Sequence, residues 1–413
     1  MSTILQGMRV VEGSAFVAVP LAGMTLAQMG ADVIRFDRVE GGLDAGRLPL
    51  APSGQSLFWA GLNKGKRSVA VDMKSEEGRE LVTRIVTAPG EDAGMFLTNL
   101  RVRGWMDYDT LRQHRKDLIT VTLLGDRHGR PQVDYTVNPA LGVPDITGPE
   151  GHEGPVANAV PAWDLLAGNL CVSALLAAER HRLRRGTGQE VELSLKDVAA
   201  AAMGHLGLIG DAVVNETART KSGNALYGAY GQDFVCADGA RIMVIGLTGR
   251  QWSGLVKATE STNALGVLEQ HSGLSLRDEG NRWTLRHEIT EILKPWFAAR
   301  ALSEIGPMFD AMKLTWAPFR TIKQAVAEDP DLSTANPMFK MLDQPGLGRF
   351  PVPGAPVTFS SGPRKDPQVA PVLGQHTEEV LGDVVGMTDG EIGKLFDKGV
   401  VQSPSFARPR TAA

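Results

Sequence analysis

The first 124 residues alternate short apolar runs with amphipathic stretches. MRVVE (8–12) and ADVIRF (31–36) have strand length, and the apolar stretch Pro20–Gly30 between them closes on glycine as a helix does. SVAVDM (68–73), GMFLTN (94–99) and LITVTLL (118–124) continue the strands, with helical segments over Glu76–Thr87 and near Tyr108–Arg115. Strands that alternate with helices predict a parallel sheet covered on both faces, hence an α/β fold. Residues 125–163 hold many Gly, Pro, Asn and Asp residues and read as loop with at most one short helix; long loops beside a sheet are often functional. Leu165–Arg184 is predicted as a helix buried along most of its length, followed by a turn at GTGQ, a strand at EVELSL (190–195) and an apolar helix over Asp197–Val214.

Beyond Asn215 the character changes. TKSGNALYGAYGQDF (220–234) is glycine-rich, ARIMVIGL (240–247) is a strand, and Trp252–Glu260 and Trp283–Ala299 are helical. These features place a large domain over 1–215 and a smaller α+β domain over 222–322. Short strands rich in Pro and Gly (345–373) and a helix near Thr377–Val385 follow, and the tail 402–413 reads as disordered.

With 413 residues, 43% of them hydrophobic, the chain can bury a large core. A formal charge of -4 provides no basic field for nucleic acid or an anionic membrane, so neither partner is expected and any anionic ligand must meet local cations. The two cysteines, Cys171 and Cys236, lie far apart without CxxC spacing, which suggests neither a disulfide framework nor a zinc site. The opening MSTILQGMRVVEG lacks the pattern of a secretory signal, so a cytoplasmic location is expected.

GxGxxG after a strand, a Walker loop, HExxH and GxSxG are all missing, which removes the usual support for nicotinamide, nucleotide-hydrolysis and serine-hydrolase chemistry. His152 beside Glu153 makes a poor metal site without further ligands, and no metal is expected. Lys64, Lys66 and Arg67 before one strand, and Arg101 and Arg103 after another, are either anion contacts at strand ends or ordinary solvated charge. Asp164, in PAWDLLAGN, reads first as the N-cap of the long helix. The same position also suits a nucleophile, because a helix N-terminus stabilises a carboxylate and offers N–H donors to an oxyanion. His205 on an apolar helix and His128 in a polar turn are weak candidates for a base, and Tyr227 and Tyr230 either cover a pocket or simply pack.

The order of segments resembles the family III CoA-transferases, which include the α-methylacyl-CoA racemases. GMRVVEGSAFVAVPLAGMTLAQMGADVIRFDR is similar to the family's opening, NKGKRSVAVDMKSEEGRELV to its basic strand segment, and FLTNLR to a strand end. PAWDLLAGNLCVSALLAAERHRLRRGTGQEVELSLKD is similar to its nucleophile helix, and QPGLGRFPVPGAPVTFS with APVLGQHTEEVL to its C-terminal signature. The resemblance implies a Rossmann-like large domain completed by residues 323–401, a smaller domain, and an interlocked homodimer. It further implies an acyl-CoA substrate, coenzyme A entering only as part of that substrate with no tightly bound cofactor, and Asp164 as the nucleophile. By position, Arg38, Lys74, Asn99 and Arg103 would line the adenosine-phosphate site, and Phe16 and Val17 would approach the thioester.

The formyl-CoA type carries glutamine where Val17 stands and Tyr-Glu where Tyr135-Thr136 stands, and has a longer glycine run near 220–231. SAFVAVPLAGMTLAQ, LFWAGLNKGKRS, VDYTVNP and the GHLG helix instead resemble the branch that moves CoA between the two carboxyl groups of one unsaturated diacid. Such a reaction would need a cation for the free carboxylate, with Arg47 and Lys66 as candidates, and a closed pocket with 221–231 as candidate lid. Transfer between two separate acids, racemisation with Asp164 as base, and a CoA-thioester-binding scaffold without turnover are the alternatives.

Overall fold

The structure is a computed structural model and describes residues 3–101 and 104–406. It divides into two compact units, one built from 1–141, 158–215 and 329–413, the other from 142–157 and 216–328. The segment 142–157 therefore belongs with the second unit, whereas the sequence reading left it within the large domain.

The first unit is a six-stranded parallel sheet in the order β3-β2-β1-β4-β5-β6, with β1 Arg9–Gly13, β2 Asp32–Asp37, β3 Arg67–Ala70, β4 Met95–Thr98, β5 Ile119–Leu124 and β6 Gln189–Ser194. In chain order the helices up to residue 214 are α1 Ala18–Gln28, α2 Leu57–Leu62, α3 Glu76–Thr87, α4 Tyr108–His114, α5 Asp134–Ala140, α6 Val143–Ile146, α7 Ala162–Arg185, α8 Leu195–His205 and α9 Leu208–Val214; all but α6 belong to this unit. Alternation along each strand feeds two cores. Val10, Val33, Leu97 and Val121 pack against α1, α7 and α8, while Val11, Ile34, Phe36 and Phe96 pack against α3 and the C-terminal helices. In α3 the buried Leu81, Val82, Ile85 and Val86 recur at helical spacing, and Ser75 caps the helix by accepting from the Gly78 N–H.

The C-terminal stretch completes this unit. Helices Thr377–Asp383 and Asp389–Asp397 bury Val380, Leu381, Ile392 and Leu395 in the second of the two cores, and the His376 N–H donates to the Ser68 carbonyl at 2.9 Å. Of the tail expected to be disordered, Ser405 donates its N–H to the Leu373 carbonyl at 3.0 Å, and 407–413 lie outside the described residues. The second unit holds an antiparallel sheet of β7 Tyr230–Val235, β8 Arg241–Gly246 and β9 Thr315–Pro318. Helices including Gly249–Ala258 and Arg286–Ala298 pack on it around Tyr230, Trp252, Phe297 and Phe309.

Two helix expectations change. The stretch Asp197–Val214 is two helices bent by 65°, because Gly207 takes a left-handed φ of 77° between them. α7 buries Ala167, Cys171, Leu175 and Ala178 but leaves Leu165, Leu166 and Leu170 exposed, so only one of its faces lies in the core.

Candidate active site

β1 and β4 are neighbours in the sheet although they are first and fourth in the chain, so the connections leaving their C-terminal ends diverge. Such switch points form the ligand crevice of open α/β sheets. Asn99 follows β4 there and closes two hydrogen bonds with the loop after β1. Its Oδ1 accepts from the Ala15 N–H at 3.0 Å and its Nδ2 donates to the Ala15 carbonyl at 2.8 Å. This clamp holds the next residue, Phe16, at a φ of 69°, a left-handed conformation that a bulky side chain rarely adopts. α1 begins just beyond with no side-chain cap and no acidic residue in its first turn.

α7 reaches the same place because of a glycine. A Cβ on Gly168 would come within 2.6 Å of the Ala18 carbonyl oxygen, so only glycine lets α7 lie this close to the start of α1. One turn earlier on α7 stands Asp164. A cavity of about 600 Å³ results, and its lining includes Phe16, Val17, Asn99, Asp134 and Asp164 together with Arg47 and Phe58.

Asp164 is not the N-cap. α7 starts at Ala162, and Asp134 Oδ2 accepts the N–H groups of Trp163 at 2.8 Å and of Asp164 at 3.2 Å. Asp134 is itself buried, and among the described residues nothing donates a hydrogen bond to the Asp164 carboxylate. Burial, and then the neighbouring Asp134 charge, push the Asp164 carboxyl up to about 6. A carboxylate that must be ionised to react should give kcat/KM an acid limb near that pH, with activity rising as pH increases through it. Asp134→Asn is expected to move the limb to lower pH by the smaller, electrostatic part of the shift, read from pH profiles of the two proteins.

Of the residues singled out from the sequence, Phe16, Val17, Asn99 and Asp164 line this cavity, as does Arg47. Asn99 lines it with its amide engaged by Ala15. Arg38 and Lys74 do not line it; they are exposed just beyond the C-terminal ends of β2 and β3. Arg103 lies outside the described residues. Lys66 is excluded as a substrate contact, since its Nζ is buried against Glu12, Asn63 Oδ1 and the Pro20 carbonyl. Lys64 bonds to the Gly61 carbonyl and Arg67 pairs with Asp32 and Glu379, so this basic cluster serves the fold. It lies at the entering end of β3, whose first residue is Arg67.

No histidine is among the lining residues. The His128 N–H is held by Asp126 in its turn, and His205 is exposed at the end of α8. Thr136 closes the first turn of α5, accepting from the Val133 N–H at 3.0 Å, while Tyr135 lines the cavity. Tyr230 is buried in the second unit, and the segment 221–231 also lies there, with Ser222, Gly223 and Asn224 lining a cavity of that unit. The sequence reading missed Asp134 and Phe58. No local signal marks either, because Asp134 acts on a helix 30 residues away.

A model of CoA-transferase family III matches residues 5–377. The chain belongs to that family. It is 53% identical over 408 residues to 2-methylfumaryl-CoA isomerase of Chloroflexus aurantiacus, covering 98% of this chain and 100% of the relative. Succinyl-CoA:mesaconate CoA-transferase of Haloarcula marismortui is 27% identical over 94% of this chain and 97% of its own length. A solved CaiB/BaiF family protein from Brucella suis superposes with a TM-score of 0.75 at 25% identity, over 93% of this chain and all of that one.

Proposed function

We propose that the chain converts 2-methylfumaryl-CoA to 3-methylfumaryl-CoA by moving coenzyme A from C1 to C4 of one diacid. Asp164 carries this reading: a half-buried carboxylate, pushed up to about 6, lines a cavity with no histidine among its lining residues. The full-length likeness to a 2-methylfumaryl-CoA isomerase supports the same substrate.

Ionised Asp164 attacks the C1 thioester carbonyl and expels CoA thiolate, leaving a mixed anhydride. The thiolate attacks the aspartyl carbonyl and releases the C1 carboxylate, giving an aspartyl-CoA thioester. The C4 carboxylate then attacks that thioester, thiolate leaves, and its return to the C4 carbonyl restores the Asp164 carboxylate. Each step exchanges one acyl–oxygen bond for one acyl–sulfur bond, so no external reductant, oxidant or resident cofactor takes part. The uncapped first turn of α1, at Val17 and Ala18, offers N–H donors for the oxyanions.

Arg38, Lys74 and Arg103 are assigned to the adenosine-phosphate end of CoA, the first two by their exposed positions at the C-terminal edge of the sheet. A homodimer is assigned to the exposed apolar side chains of α7, α8 and α9, where Leu206 is 75% and Val214 79% accessible. The two buried free cysteines agree with a cytoplasmic setting.

The test uses the C1 thioester together with isotopically labelled free mesaconate. Conversion to the C4 thioester without label in the product is expected, and borohydride should trap a mass change on the peptide bearing Asp164. Heavy label uptake would replace this reading by transfer between separate acids, and solvent deuterium entering Cα of a saturated 2-methylacyl-CoA, offered in a separate assay, would replace it by racemisation.

A further inference from the structure

Arg47 is the only cationic side chain among the described residues that line the Asp164 cavity. Its side chain is exposed, and its setting differs from that of three more enclosed arginines of this unit. Arg35, Arg67 and Arg115 each pair with a carboxylate, whereas none among the described residues pairs with Arg47. Instead its guanidinium lies 5.5 Å from the Phe16 ring centroid and 5.3 Å from that of Phe58. Aromatic faces hold a guanidinium without using its N–H donors. The backbone beneath is fixed as well, because Ser56 Oγ donates to the Arg47 carbonyl while also accepting from the Trp59 N–H at the start of α2.

A rigid fork of unused donors between two rings, facing a cavity that also holds a nucleophilic carboxylate, suits one ligand group well: a planar carboxylate gripped by two parallel N–H bonds. We infer that Arg47 binds the free carboxylate of the acyl group and makes the cavity selective for monothioesters of dicarboxylic acids over those of monocarboxylic acids. This rests on the reading of the cavity as an acyl-CoA site. In the isomerisation it assigns Arg47 to each end of the diacid in turn, the C4 carboxylate before transfer and the C1 carboxylate after it. The freed diacid is thereby retained while the aspartyl thioester waits.

The test is a binding measurement that needs no turnover. Two non-hydrolysable thioether analogues of the acyl-CoA, one bearing the terminal carboxylate and one lacking it, are titrated calorimetrically into wild type, Arg47→Lys and Arg47→Met. Wild type should prefer the carboxylated analogue by on the order of 10- to 100-fold, the range of a charge-assisted hydrogen bond converted to affinity. Arg47→Met should bind both analogues alike, at the wild-type affinity for the uncharged one. Arg47→Lys should keep part of the preference, since it retains the charge and loses the fork. A preference that survives in Arg47→Met overturns the inference. So does an equal loss of affinity for both analogues, which would place Arg47 on the CoA moiety. Failure of the isomerase reading would appear separately, as absence of C1-to-C4 conversion by an enzyme that still shows the preference.

Discussion

Asp164→Asn is expected to lower kcat by on the order of 10⁴-fold or more while leaving acyl-CoA binding largely intact. The amide keeps the shape of the side chain but cannot form the anhydride, and no second carboxylate stands ready to replace it. Asp134 already accepts the two N–H groups of α7 and is fixed by them. The same substitution should stabilise the protein. The Asp164 carboxyl is raised from 3.8 to about 6 in the folded state, so folding binds its proton more tightly than the unfolded chain does. Its ionised form therefore opposes folding, and the penalty grows as pH rises from about 4 through 6. With allowance for the part of the group that water reaches, removing that penalty is worth about 1–2 kcal/mol. Urea midpoints should rise in the variant at pH 7.5 and converge with wild type toward pH 4. Wild-type turnover in Asp164→Asn, or a lower midpoint at pH 7.5, would contradict these assignments.

Arg35→Met should be the most destabilising single change in the first unit. Arg35 lies in β2, fully buried, and its guanidinium meets Asp37 at 2.9 Å, Asp44 at 3.0 Å and Glu12 at 3.6 Å, with Trp59 stacked at 4.4 Å. Burial alone would favour loss of its proton, but the surrounding carboxylates outweigh it and keep the group charged. Lys66 pairs with Glu12 in the same cluster at 2.8 Å, and burial lowers its ammonium to about 8. Taking away Arg35 leaves three buried carboxylates facing one remaining cation. Breaking such a cluster from one side costs about 3–5 kcal/mol, although replacing the whole of it by apolar groups can be neutral. Asp37→Asn added to Arg35→Met should therefore recover part of the loss, a non-additive result measurable by denaturant unfolding. Because Asp44 leads into the loop that carries Arg47, the single variant should also weaken the preference for the carboxylated analogue. Additive losses in the double variant would show that the cluster does not act as a unit.

How much of this was legible in the sequence depends on the range over which each feature is determined. The strands at 9–13, 32–37, 95–98 and 119–124 could be read because each centres on a short run of apolar, mostly β-branched or aromatic residues, although β1 and β2 also bury Glu12, Arg35 and Asp37. α5 and α6 were read as loop because Asp134, Asn138, Pro139 and Gly142 carry loop signals, and tertiary contacts overrode them: the Trp163 indole donates to Asn138 at 3.0 Å. The segment around Asp164 was legible as a motif. The N-cap reading of Asp164 fails, since the acceptor for the start of α7 is Asp134.

The sequence by itself determined the parallel sheet and the family and singled out Asp164 as the carboxylate proposed to react, because these follow from local periodicity and from an ordered run of short motifs. Only the tertiary structure decided which basic residue faces the cavity. Lys66 and Arg47 are alike as letters in polar loops, but the first is buried in an ion pair with Glu12, while the second lies beside Phe16 and Phe58 in the lining of the cavity. Pairing of charges is a property of contacts between distant segments, and chain order carries no direct record of it.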